Sequence, residues 1–402
     1  MRGNLGSLIG LAGGLFLGQG SFFLVQTWLL AGQKFEVVSQ VGIAISVVSF
    51  FQWLVDFGGV IVLNTRHQAG AADHLASVLV FRGIGATVLL ALAAIVLFVF
   101  PAEAVQRSIF LASSLGLVAW SSNLSGLTDA LGENRVLGWM NALPWLFTSG
   151  ALVLRNGAIT SDDGLWYGAA FSSGLLLAVV VQHAWIFRRF PQIYQGRVRA
   201  EHIRSYWREA GPYVLSNVPP QLLPRYMLMV VDAILGGVAS AAYVYARTVQ
   251  NAAFQFLTVF RRIEFTSVVS SIASGKVKSW RDVLHNQRSS LVVSVLGVVA
   301  IWAWCGVMAF RTGQSAPYVA ASLVALLLPI WTFSSMHAFA YLAAGKSRVY
   351  AKAVIFLVMP VAITPILLPV IGVMAAVIGE STMYVAQVLY YRSASRQIWG
   401  RA

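Results

Sequence analysis

The chain has 402 residues, 58% of them hydrophobic and only 10% charged. This excludes a soluble globular domain, in which roughly a quarter of the residues are charged, and at about 20 residues per membrane-spanning helix the apolar content suffices for about ten to fourteen spans. Lysine and arginine total 28 against 14 aspartate and glutamate, a net charge of +14, which in a membrane chain bears first on topology and only then on anionic partners.

In chain order, the first apolar stretch covers about 5–30. It starts behind Arg2, is too long for a signal-peptide core and lacks a small-residue cleavage site, so it reads as an uncleaved helix. Further spans are predicted at about 38–64, 77–100, 108–131, 136–155, 166–187, 210–235, 238–261, 289–311, 317–343, 351–369 and 371–391. Placing the N-terminus inside puts 21 of the 28 basic residues on the cytoplasmic side: Arg2, Arg66, Arg135, the arginines of 188–208, the Lys/Arg of 261–288, Lys346, Arg348, Lys352 and the tail from Arg392. Lys34, Arg107, Arg155 and Arg311 fall outside, and Arg82, Arg225 and Arg247 lie within spans. The predicted fold is therefore an all-α integral membrane protein of about twelve helices, with both termini cytoplasmic. Its expected organisation is an N-lobe at 1–190, a basic cytoplasmic linker at 191–209 and a C-lobe at 210–402.

An internal repeat supports two halves. Phe51-Gln52-Trp53-Leu54-Val55-Asp56-Phe57 aligns with Phe254-Gln255-Phe256-Leu257-Thr258-Val259-Phe260, and each copy follows a glycine-containing turn, at Ala31-Gly32 and Gly236-Gly237. Six helices per half would relate the lobes by an axis along the membrane normal, as in alternating-access transporters. The segments 188–210 and 261–289 read either as topology determinants or as surfaces lying on anionic headgroups, through Arg197, Arg199, Arg204 and Arg208 or through Lys276, Lys278 and Arg281. Gly10, Gly14 and Gly18 form a small-residue face for close helix packing.

Charges at membrane depth are costly and normally face a protein interior or a watery cavity. The cations are Arg82, Arg225 and Arg247; the anions are Asp56, Asp129, Asp232 and Glu380. Asp232 and Arg247 flank the turn at Gly236-Gly237 and are expected to form a structural pair, while Pro219, Pro220 and Pro224 are expected to break or kink the seventh span beside Arg225. Spacings 217/221/225 and 247/251 align polar residues on helix faces. Together with Gln52, Asn217, Gln221, Asn251 and Gln255, the arginines suggest a polar lumen for an anionic substrate, because the guanidinium fork donates two hydrogen bonds to phosphate.

Other motifs lead elsewhere. Ala344-Gly345-Lys346-Ser347 lacks the first glycine of a phosphate-binding loop, Asn123-Leu124-Ser125 is a glycosylation pattern inside a span, and Asp162-Asp163 are expected to be solvated in an outer loop. The single cysteine, Cys305, sits in an apolar run, and the six histidines show no metal-ligand spacing.

The stretches LLAGQKFEVVSQVGIAISVVSFFQWLVDFGG (29–59) and MLMVVDAILGGVASAAYVYARTVQ (227–250) resemble Wzx-type polysaccharide-biosynthesis flippases of the multidrug/oligosaccharidyl-lipid/polysaccharide exporter superfamily. Asp232, Leu235-Gly236 and Tyr245-Ala246 carry the resemblance; Ser125 stands where that family has glutamine, with Trp120 and Gly126 retained. The resemblance implies a MATE-like fold in the bacterial cytoplasmic (inner) membrane. It further implies transfer of an undecaprenyl-diphosphate-linked oligosaccharide to the outer leaflet for surface polysaccharide synthesis, alongside a polymerase and glycosyltransferases. No cofactor is implied; Asp56 and Glu380 are candidates for proton or sodium coupling, or structural counter-ions. The rival readings are a drug/cation antiporter of the same superfamily and a non-transporting component of a glycan-assembly complex.

Overall fold

The computed structural model describes residues 2–59, 63, 71–99, 103–131, 134–273, 280–343 and 346–394. Among these residues the chain is helical, without strands, and its helices occupy the twelve predicted spans. They are α1 (Arg2–Ala31), α2 (Phe35–Asp56), α3 (Ala71–Val99), α4 (Ala104–Trp120), α5 (Ser125–Ala130), α6 (Asn134–Leu154), α7 (Ser161–Arg189) and α8 (Ala200–Leu235). There follow α9 (Gly237–Ala273), α10 (Trp280–Asn286), α11 (Arg288–Thr312), α12 (Ala316–Ala325), α13 (Leu327–Ala343), α14 (Ser347–Lys352), α15 (Val358–Ile371) and α16 (Met374–Ser393). Among the described residues six segments, including Phe35–Asp56, Ser161–Arg189 and Arg288–Thr312, are individually long and apolar enough to cross a membrane. The protein is a multi-pass membrane protein.

The chain forms two compact units, Met1–Gln221 and Leu222–Ala402. This division falls within α8, later than the expected end of the N-lobe at residue 190, because the segment after α7 is docked on the first unit. Arg199 N–H donates to Ser77 Oγ at 2.9 Å, and Tyr206 O–H donates to the Phe57 carbonyl at 2.8 Å. Tyr206 and Ala210 belong to the same apolar cluster as Leu75, Leu124, Leu127 and Ile186, with Ile193 and Tyr194 packed against it. The basic linker expected at 191–209 packs against the first unit.

Within the first unit, α1 lies against α6 at a distance that only small residues allow. A methyl at Gly18 would stand 2.8 Å from the Ala142 Cα, and one at Gly14 would coincide with the Gly138 backbone. The small-residue face is thus a packing seam. α7 begins with a capping box, in which the Asp163 N–H donates to Thr160 Oγ1 and the Asp163 carboxylate accepts from the Thr160 N–H. Asp163 is almost fully buried and is held by Arg155, whose Nε donates at 2.7 Å. The expectation of a solvated Asp163 was therefore incorrect, since the cap and Arg155 together compensate its burial.

Helix interruptions occur at places other than those expected. α8 runs unbroken through Pro219, Pro220 and Pro224; each proline deletes one i→i−4 bond, but proline's own φ is helical and the turns on either side carry the helix through. The fourth span instead breaks after Trp120. There Ser122 N–H and Asn123 N–H turn back three residues to Ala119 and Trp120, and Ser121 Oγ donates to Val118 O at 2.6 Å. Ser and Asn side chains compete with the helix for backbone groups, and here they end it. The tenth span tightens at Leu326, whose N–H reaches Leu323 O, just before Pro329, and the eleventh passes through a 3-10 turn, Ala353–Leu357. Helix α2 ends at Asp56, where Phe57 adopts φ 45° and its N–H closes on Leu54 O, while Gly59 and Leu63 beyond it are again helical.

Candidate functional site

Among the described residues, a buried guanidinium is paired with a carboxylate in each unit. In the first unit, Asp56 ends α2 and Arg82, 1% exposed, projects from α3. Arg82 Nη2 donates to Asp56 Oδ1 at 2.5 Å and Nη1 to the Asn123 carbonyl at 3.0 Å. That carbonyl lies in the interruption of the fourth span, where helix geometry does not consume it. Asn123 Nδ2 donates to Asp56 at 3.2 Å, and its Oδ1 accepts from Ser125 N–H and Oγ, which starts α5.

Two further backbone groups of the interruption are bonded to side chains of α7. Leu124 N–H donates to Gln182 Oε1 at 2.9 Å, and His183 Nε2 lies 2.8 Å from the Ser122 carbonyl. Since a carbonyl only accepts, His183 carries its proton on Nε2, and Nδ1 accepts from Tyr194 O–H at 3.0 Å. Burial pushes the Tyr194 phenol up to about 12, so it remains a donor at neutral pH. Space for the arginine depends on Gly59, where a methyl would come within 2.5 Å of Arg82 Nη1.

In the second unit, Arg247 on α9 and Glu380 on α16 form a bidentate pair: Nη1 donates to Oε2 at 3.1 Å and Nη2 donates to Oε1. Nη1 also donates to Gln250 Oε1 at 2.5 Å, and the guanidinium lies 5.2 Å from the Tyr243 ring centre. Positions 243, 247 and 250 share one helical face. All four side chains are buried, yet Arg247 Nε, Gln250 Nε2 and Tyr243 O–H have no acceptor. Arg225, on α8, is partly buried.

The expected Asp232–Arg247 pair is corrected. Asp232 lies four residues before the turn and Arg247 ten residues after it, so at 1.5 Å per residue their depths differ by about 9 Å. Glu380 lies at Arg247's level instead. Asp56 and Glu380 each have a guanidinium partner, as counter-ions would. The polar positions around them scatter: Asn217 Nδ2 donates to the Tyr213 carbonyl of its own helix, Gln52, Gln221 and Gln255 are partly exposed, and Asn251 is exposed. The side chains of Asp129, Lys276, Lys278 and Arg281 lie outside the described residues.

A further buried charge cluster was counted with the loops in the sequence. Arg261, assigned there to a cytoplasmic connection, is buried in the continuation of α9, between Trp331 at 4.5 Å and Phe339 at 4.0 Å. Glu264, one turn on, accepts from Ser290 N–H at 2.9 Å and from the hydroxyls of Ser289 and Ser290 at the start of α11. The i, i+3 spacing of Arg261 and Glu264 was the available signal. Among the described residues no three His, Cys, Asp or Glu side chains form a metal-binding group.

No family model matches the sequence, and no curated protein matches it. Solved structures do match along 98% of the chain. One is an outward-facing multidrug resistance MATE family transporter of the MOP superfamily, with a TM-score of 0.61 at 12% identity over 97% of that chain. A MATE structure in the straight conformation gives 0.61 at 16% identity over 96% of its chain. The lipid II flippase MurJ, inward closed, gives 0.64 at 13% identity over 86% of its chain. The chain thus has the MATE-like all-helical membrane fold.

Proposed function

We propose that the protein is a flippase that moves an undecaprenyl-diphosphate-linked oligosaccharide to the outer leaflet of the bacterial inner membrane by alternating access. The observation that carries this reading is the second-unit centre: Arg247 is held only by side chains, and three donors around it lack acceptors. A diphosphate supplies acceptors alone and suits such a set. An organic cation needs a carboxylate, and Glu380 is already engaged by Arg247. The fold shared with a lipid II flippase supports the same reading.

In this mechanism Arg247 and Arg225 receive the diphosphate, Gln250 and Tyr243 complete its hydrogen bonds, and Asn251 and Gln255 meet sugar hydroxyls. Protonation of the Glu380 carboxylate, or binding of sodium to it in place of Arg247, releases the guanidinium to the substrate and couples transfer to the ion. Arg82, bound to a carboxylate and a backbone carbonyl, acts as the counter-ion of Asp56. An inside-negative potential favours outward movement of the anion by about 2.3 kcal/mol per charge per 100 mV.

The test is deletion of the gene, followed by quantification of lipid-linked glycan. Cytoplasmic-leaflet accumulation, restored to normal by wild type but not by Arg247→Ala expressed at equal level, is the expected result. Normal export combined with new sensitivity to cationic drugs would overturn the proposal in favour of the antiporter.

A further inference from the structure

The segment joining α7 to α8 presents an arginine surface that the transport reading does not use. Arg188, Arg189, Arg197, Arg199, Arg204 and Arg208 are all exposed, against two exposed glutamates, Glu201 and Glu209. The permanently cationic residues of 188–209 are all arginine, with no lysine among them. Retention of a loop in the cytoplasm requires charge alone, and lysine serves equally. Phosphodiester recognition favours the planar guanidinium, which donates in pairs.

The display is also held in place. The 3-10 turn Pro191–Gln195 is fixed by Tyr194 on His183, Arg199 N–H by Ser77, and the start of α8 by Tyr206 on the Phe57 carbonyl. Apolar and aromatic side chains stand among the charges. Trp207, half exposed, stacks on Phe57 at 5.3 Å and 16°, and Arg189 lies 4.2 Å over Trp185. Phe187 and Val198 are more than half exposed. Tryptophan beside arginine at the end of a spanning helix is the composition of a membrane–water interface, where rings sit at headgroup level and guanidinium groups reach phosphate.

We infer that this surface binds the headgroups of anionic phospholipids and fixes the α7–α8 connection to the cytoplasmic face of the bilayer. Its partner is the bulk anionic lipid of the membrane, recognised by phosphate and net charge, and the site is separate in sequence from the centre at Arg247.

The experiment compares wild type with R188Q/R197Q/R204Q/R208Q, both full length and purified in mild detergent. Native mass spectrometry with added phosphatidylglycerol or phosphatidylcholine counts retained lipids, and thermal unfolding is followed in each lipid. The expected result is a roughly tenfold or greater loss of phosphatidylglycerol retention in the variant, with unchanged unfolding in phosphatidylcholine. Wild-type preference for phosphatidylglycerol should fade at high salt, because exposed charges are screened. A variant that keeps the full preference overturns the inference, as does a wild type with no preference. A quadruple variant that retains lipid-linked glycan transfer in phosphatidylcholine vesicles while losing lipid preference keeps this surface distinct from the transport site. If instead it is the diphosphate-linked substrate that loses binding in those vesicles, the surface is a substrate site and the inference fails.

Discussion

The two units bury the same chemical pair in different settings. Arg82 is bound by the Asp56 carboxylate and the Asn123 backbone carbonyl, with Nε left without an acceptor, and the surrounding interruption is bonded in turn to Gln182 and His183. Arg247 is hydrogen-bonded to the side chains of Glu380 and Gln250 and faces the Tyr243 ring. A backbone carbonyl at a helix break can let go only if the helix rearranges, whereas a carboxylate can protonate and an amide can change rotamer. Buried ion pairs are thus not equivalent markers of function: one ties four elements together, and the other can open.

The largest expected effect follows from breaking the tied pair. Arg82→Ala leaves Asp56 charged and buried, and removal of one partner from a buried pair costs about 3–5 kcal/mol. It should appear as a marked drop in detergent-solubilised Tm and in cellular abundance. Replacing both partners, Asp56→Leu with Arg82→Met, should recover most of the stability together with transport. If the double variant folds but does not transport, Arg82 has a role in substrate handling and the contrast between the units fails.

The same double replacement in the second unit should separate the two properties. Arg247→Met with Glu380→Leu removes a buried pair whose exchange for apolar groups is often neutral for stability, so the protein should fold. Lipid-linked glycan transfer into vesicles should fall below detection. Near-normal transfer would make Arg247 and Glu380 a second structural clamp.

Asn123→Ala is expected to cost about 1–3 kcal/mol, because it deletes a bond to Asp56 and the acceptor that starts α5. The measurement is Tm, and the loss should be larger than for Asn217→Ala, whose partly exposed amide donates to the Tyr213 carbonyl of its own helix.

Much of the architecture could be read from the sequence because it depends on long-range averages. Twelve apolar windows and an asymmetric distribution of basic residues survive errors of several residues at each end. The site depended on single contacts. Glu380 meets Arg247 across 133 positions, and local spacing favoured Asp232 only while helical rise was neglected. Prolines in α8 suggested a break or kink, and the helix runs through them without a break, while the fourth span breaks at Ser121-Ser122-Asn123, where the side chains of Ser121 and Asn123 take over backbone bonding. Arg261 looked like a loop charge because the apolar window ended before it, yet two aromatic rings bury it. Asn123, Gln182 and Gln250 gave no signal in the sequence beyond polarity inside a span.

The smallest change that still discriminates the two centres is Tyr243→Phe. It removes one hydroxyl that has no acceptor in this structure, and the ring that faces Arg247 remains. Losing a hydroxyl with no partner relieves a desolvation cost, so Tm should hold or rise slightly. A hydrogen bond to a charged group contributes about 1.5–3 kcal/mol, so if the hydroxyl meets the diphosphate, the apparent affinity for the lipid-linked substrate should fall by roughly tenfold or more. The comparison variant is Tyr206→Phe in the first unit, which deletes a made hydrogen bond to Phe57. It should lower Tm and leave substrate affinity unchanged. Should Tyr243→Phe lower stability and spare affinity, its hydroxyl serves the fold, and the second centre is as closed as the first.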